Sequence, residues 1–121
     1  MEKYVIQRNP FQVPTLDGKI IKEHFGIPST NTSEFSLAHM IAPAKWSEPF
    51  QKPEFDEITF IIKGKKQIEI ENEKIILNEG ESILVKKGYS VRYSNPFDEP
   101  VEYISICIPA FSIEKVHREK E

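Results

Sequence analysis

Short runs in which apolar and polar positions alternate, broken by Gly, Pro, Asn and charged residues, set the organisation of this chain. The clearest stretch runs from 55 to 95 (FDEITFIIKGKKQIEIENEKIILNEGESILVKKGYSVRYSN). Within it Glu57, Thr59 and Ile61 share one face of an extended segment, and Ile58, Phe60 and Ile62 share the other. Both faces are largely apolar, which predicts a central strand. Ile68 and Ile70 alternate with Gln67, Glu69 and Glu71, the pattern of a half-exposed strand, and Asn72 marks a hairpin that returns through 75–77. Gly80 and Gly88 open further turns, followed by strands over 82–85 and 90–94, and 101–108 (VEYISICI) is a last strand ended by Pro109. Upstream, 3–7, 19–25 and 35–41 read as strands, 26–33 as a polar loop, and 42–54, with three prolines, as an irregular connection. One helical turn is expected over 112–116. About nine strands without a long helix predict an all-β fold, a sandwich or closed antiparallel β-barrel.

At 121 residues this is room for one domain, with 1–34 adding N-terminal strands and a loop, 35–111 forming the barrel core, and 112–121 a tail. A net charge of −3, with Lys and Glu interspersed, gives no basic stripe for nucleic acid. No apolar run approaches the ~18–20 residues of a membrane helix, and the first residues lack the form of a signal peptide. The single cysteine, Cys107, excludes an internal disulfide. These features predict a cytoplasmic protein with neither nucleic-acid nor membrane partners.

Two spacings are more specific than strand propensity. Six residues separate Glu57 from Gly64, and Gly80, Gly88 and Asn95 follow at fixed intervals. This resembles the two motifs of the cupin superfamily, G-x5-H-x-H-x3-4-E-x6-G and G-x5-P-x-G-x2-H-x3-N, and so implies a cupin-type β-barrel or jelly roll. In that family two histidines and a glutamate of the first motif and a histidine of the second hold a divalent metal. Here the first two histidine positions fall on Gln51 and Pro53 or on Phe50 and Lys52, and the last falls on Val91. Glu57 alone persists, and one carboxylate does not make a metal site. The sequence therefore predicts no metal and no other cofactor. The missing histidines and the DE-x4-I-x-G pattern are similar to the ethanolamine-utilisation type of cupin. The resemblance also implies a homodimer, with the apolar Ile58, Phe60 and Ile62 face and the Tyr4–Val5–Ile6 run as its contact elements.

The candidate chemistry centres on Glu57. If its face points into the barrel, burial raises the carboxyl pKa and suits it to general acid–base catalysis. Gln51, Thr59, Tyr93, Tyr103 and His39 are the candidate substrate-binding residues, since Tyr93 shares a face with Val91 and Tyr103 shares one with Ser105 and Cys107. His39 reads more readily as a core or rim histidine hydrogen-bonded to backbone, and Cys107 as a small buried hydrophobe rather than a nucleophile. Lys63, Lys65, Lys66, Lys86 and Lys87 read mostly as solvated residues at strand ends. The leading expectation is a metal-free barrel that binds a small polar metabolite, with lyase- or isomerase-like proton transfer through Glu57 as its catalytic form. Two alternatives stand beside it: a metal-dependent dioxygenase, isomerase or lyase with a substituted ligand set, and a non-catalytic dimerisation module with a filled barrel.

Overall fold

A computed structural model describes residues 3–119. Ten strands form: β1 (Phe11–Gln12), β2 (Ile20–Phe25), β3 (Ser36–Ala42), β4 (Trp46–Ser47), β5 (Asp56–Lys63), β6 (Lys66–Ile70), β7 (Glu73–Leu77), β8 (Ser82–Val85), β9 (Val91–Asn95) and β10 (Val101–Ile108). Two single turns of helix, α1 (Ile27–Thr30) and α2 (Ile113–Val116), complete the described elements. The strands make a six-stranded sheet in the order β1-β2-β3-β10-β5-β8 and a four-stranded sheet in the order β4-β9-β6-β7, all pairs antiparallel. The all-β expectation holds, and the fold is that of a cupin jelly roll. No helix of the described residues is long and apolar enough to cross a membrane.

Alternation settles which faces meet. On β5, Thr59 and Ile61 are fully buried while Phe60 and Ile62 are exposed, so the Glu57 face points between the sheets. On β10, Val101, Tyr103, Ser105 and Cys107 are all buried. Opposite them, β6 turns in Lys66 and Ile68, and β9 turns in Val91 and Tyr93. Ile61, Ile68, Leu77, Val85, Val91 and Val101 pack with Tyr93 and Tyr103 in a continuous core cluster. A smaller cluster of Phe55, Cys107, Phe111 and Val116 lies under α2.

Two residues kept from the cupin motifs are explained by backbone geometry. Gly64 ends β5 at φ 92°, and a Cβ there would stand 2.7 Å from the Pro100 carbonyl oxygen, so both the conformation and the space require glycine. The Asn95 side chain is wholly buried and ties three stretches of backbone together.

Several local expectations are corrected. Residues 3–7 form no strand: Tyr4, Val5 and Ile6 are exposed, and the first strand is the two-residue β1. The proline-rich connection includes β4, paired with β9, and the loop after β2 winds into α1. In the β6–β7 hairpin the left-handed residue is Glu71, at φ 53°, rather than Asn72. Both elements are too short for periodicity to resolve: β4 is set by its pairing with β9, and α1 is one turn closed by local backbone bonds.

Candidate ligand-binding site

Between the sheets, bordered by Tyr93 and Tyr103 of the main apolar cluster, lies a cavity of about 100 Å³. This is ample for several waters or a small organic molecule. Strand β2 and the residue before it contribute Lys19, Ile21 and Glu23; β3 contributes Ser36, Ala38 and Met40; β10 contributes Tyr103, Ser105 and Cys107. Glu57 enters from β5, Lys66 from β6, Tyr93 from β9, and Glu48, Gln51 and Arg118 from irregular segments.

The centre of this arrangement is cationic and aromatic. Lys66 is fully buried, with Nζ 3.3 Å from the Tyr103 ring centroid and 4.6 Å from that of Tyr93. Stacking on these ring faces is electrostatically favourable for an ammonium but does not replace its hydration. None of the ion pairs among the described residues includes it. Burial is the main reason its pKa is lowered to about 7; the nearby Lys19 charge adds to the effect, and Glu57 and Glu48 oppose it. Lys19 goes the other way. Burial works against its charge, but Tyr103, Glu48 and Glu57 together overcome this and hold it above the ordinary lysine value. Its Nζ lies 4.4 Å from the Trp46 ring centroid, and Trp46 is fixed in turn by its Nε1–H donating to Asp17 at 2.7 Å.

The acidic partners are differentiated as well. Glu57 accepts a 2.5 Å hydrogen bond from the Ser105 hydroxyl across the β5–β10 pair. Burial pushes the Glu48 carboxyl up, against the pull of Lys19, Lys66 and Arg118. The hydroxyls of Tyr93 and Tyr103 are buried without a hydrogen-bond partner. Burial, followed by the Glu57 and Glu48 charges, raises Tyr93 well above the usual phenol value, and Tyr103 is raised to about 12, mainly by burial and against the effect of Lys19. Burial and then Glu57 push the Cys107 thiol up, which leaves it protonated and unreactive.

Of the residues singled out from sequence, Glu57, Gln51, Tyr93 and Tyr103 meet at this cavity. Thr59 points inward on the same strand but does not line the cavity, and its buried hydroxyl is unpaired. His39 is not part of the site. It alternates with the inward Ala38 and Met40, and its Nε2 lies 2.6 Å from Glu102 on the outer face. Lys66 was expected in solvent and is instead at the centre; Lys63, Lys65, Lys86 and Lys87 are exposed as expected. Lys19, Glu48 and Arg118 were not anticipated.

A model of the family described as the cupin domain matches residues 38–107. The chain belongs to the cupin family. It is 41% identical over 107 residues to the endoribonuclease YbeY of Myxococcus xanthus, a match covering 88% of this chain and 36% of that protein, so the chain spans about a third of its relative's length. Among solved structures, this cupin resembles the polyketide cyclase RemF of Streptomyces resistomycificus, with a TM-score of 0.74 and 12% identity over 100% of this chain and 87% of that one. It also resembles the EutQ protein of Clostridium difficile, with a TM-score of 0.63 and 20% identity over 85% and 75%. These likenesses establish the shared fold.

The divalent metal of metal-binding cupins does not fit the residues present. No group of three His, Cys, Asp or Glu among the described residues is placed to hold one. Val91 is buried in the apolar cluster, and the Gln51 side-chain oxygen already accepts from Arg118 at 3.2 Å. Two lysines line the same cavity as Glu57 and oppose a divalent cation there.

Proposed function

We propose that this cupin domain is a metal-free binding site for a small, polar, carboxylate-bearing metabolite, with proton transfer at Glu57 as its catalytic chemistry. The observation that carries the reading is the cluster of incompletely paired polar groups around one cavity: the buried Lys66, the half-buried Lys19 and the buried hydroxyls of Tyr93 and Tyr103. A barrel that served only as a packed core would have no use for them, because each polar group buried without a partner costs free energy. Lys19 supplies the lasting positive charge for a carboxylate, the tyrosines donate to its oxygens, and Glu57, held by Ser105, faces the ligand as base.

The test is a thermal-shift and calorimetric titration with small carboxylic acids, on protein stripped with a chelator and checked by elemental analysis. A ligand at ~100 times its Kd should stabilise the fold by ~2.7 kcal/mol, and Lys19→Met should lose that gain. A metal retained in stoichiometric amount and lost in Glu57→Ala, or no stabilisation by any acid, would refute the reading. For a ligand that is turned over, Glu57→Gln should preserve fold and binding while abolishing turnover; unimpaired turnover would remove Glu57 from the mechanism.

The homodimer is part of the same proposal. Phe60, Ile62, Leu84 and Ile108 are exposed on the outer face of the six-stranded sheet, a surface that a second copy would cover. Phe60→Lys should convert a sedimenting dimer to monomer with the barrel intact, and a monomeric native protein would refute the pairing.

A further inference from the structure

We propose that Lys66 is a nucleophile that condenses with the carbonyl carbon of a small aldehyde or ketone acid, forming an imine inside the barrel. The inference rests on the ligand site proposed above and names the class of compound that the site takes.

Three observations converge on it. Lys66 is 1% exposed, its amine faces the cavity from the ring faces of two tyrosines, and no carboxylate ion-pairs with it. By contrast, Arg92 is clamped to Glu69 at 2.7 Å and Lys45 to Asp98 at 2.8 Å, the ordinary arrangement for a cation that serves the fold. Lining the same space, the Tyr93 and Tyr103 hydroxyls are buried donors without acceptors. Lys19, a second cation, stands beside the cavity and is free to hold a carboxylate. One lysine therefore supplies charge and the other supplies an amine.

The ionisation of the cluster agrees with this division. Lys66 is brought to about 7, so a large fraction carries a lone pair at neutral pH, whereas Lys19 stays cationic. Burial pushes the Glu48 carboxyl up, the direction that favours its acid form.

The chemistry balances with no added reagent. The Lys66 lone pair forms the C–N bond as the carbonyl π bond breaks, and the oxygen takes a proton from Glu48. The amine proton passes to Glu57, giving a neutral carbinolamine. Glu57 then returns a proton to the hydroxyl, which leaves as water while the nitrogen lone pair closes the C=N bond, and the iminium so formed is paired with the Glu48 carboxylate. The net change is carbonyl, amine and the Glu48 proton to iminium, Glu48 carboxylate and water. The positive iminium is a sink for electrons from the adjacent carbon, which gives a proton transfer by Glu57 a chemical purpose.

The experiment uses pyruvate as a carbonyl probe and lactate as its non-electrophilic counterpart. The full chain is incubated with each in the presence of cyanoborohydride and analysed by intact-mass and peptide mass spectrometry, in parallel with thermal shift. The expected result is one reduced adduct per chain with pyruvate, located at Lys66, none with lactate, and loss of the adduct in Lys66→Met. Lys66→Met removes a buried cation and should fold. Lys19→Met is expected to retain adduct formation at higher pyruvate concentration. If both acids raise the melting temperature and no adduct forms at Lys66, the imine is overturned while the binding site stands. If neither binds and no adduct forms, both fail. Labelling scattered over the exposed lysines, unchanged in Lys66→Met, also overturns the imine.

Discussion

Lys66→Met is expected to raise stability at pH 7 by about 1–4 kcal/mol, the range seen when buried ionic groups give way to apolar side chains of similar volume. The reason is linkage. An unfolded lysine titrates near 10.5, whereas burial holds Lys66 at about 7 in the fold. Between those values the unfolded chain carries a proton that the folded chain lacks, so the Lys66 contribution to stability rises with pH across that window and is flat below it. The slope is at most ~1.4 kcal/mol per pH unit, which over the window amounts to a penalty of at most ~5 kcal/mol at pH 7. Methionine fills the same space against Tyr93 and Tyr103 and has nothing to desolvate. Urea unfolding of both proteins from pH 6 to pH 9.5 measures the effect. The wild type should close the gap on the variant above pH 7, and the two should run parallel below it. A variant that is less stable at every pH, with a parallel profile throughout, would mean that Lys66 is stabilised where it sits.

The same lysine shows what the sequence makes legible. Glu57, Tyr93 and Tyr103 were recognisable because each lies on a strand whose alternation, or whose place in the cupin motifs, singles it out. Lys66 had the same kind of signal: it shares parity with Ile68 and Ile70, the inward face of β6. It was read as solvated because a lysine at a strand end beside Gly64 and Lys65 is usually a surface residue. His39 failed for the complementary reason. Alternation groups it with Leu37 and Ile41, and only sheet packing reveals that this set faces outward while Ala38 and Met40 face the cavity. Glu48 and Arg118 sit in irregular chain far apart in the sequence, with no period to betray them, and they approach to 3.8 Å only once the barrel closes. The run 3–7 has strand-like composition, but strand formation needs a paired edge, and the described chain gives it none.

Asn95→Ala should be among the most destabilising single changes in the chain, at about 3 kcal/mol. Asn95 is wholly buried at the end of β9, and both ends of its amide are used. Its Nδ2 donates to the carbonyls of Pro43 at 3.0 Å and Glu99 at 2.8 Å, and its Oδ1 accepts from the Phe97 N–H at 3.2 Å. One side chain thereby satisfies the connection after β3 and both sides of the loop between β9 and β10. Alanine strips the Asn95 bonds from the Glu99 carbonyl and the Phe97 N–H and leaves the Pro43 carbonyl only its longer bond from the Trp46 N–H, at up to ~1–3 kcal/mol for each partner lost, and it also leaves a small void. Asn95→Asp separates the donor role from the acceptor role. Aspartate retains the oxygen facing Phe97 but turns a charged acceptor toward two carbonyl oxygens, so it should be at least as damaging as alanine. Chemical denaturation of the two variants decides this, and an aspartate variant close to wild type would show that the donor side is dispensable. The consequence reaches the cavity. Asn95 pairs in register with Trp46, and Trp46 carries Lys19 on its ring. Loosening these loops should therefore weaken carboxylate binding even in the fraction of molecules that remains folded. Calorimetry below the variant's melting range should find a reduced affinity, and an unchanged affinity would separate the Asn95 clasp from the site.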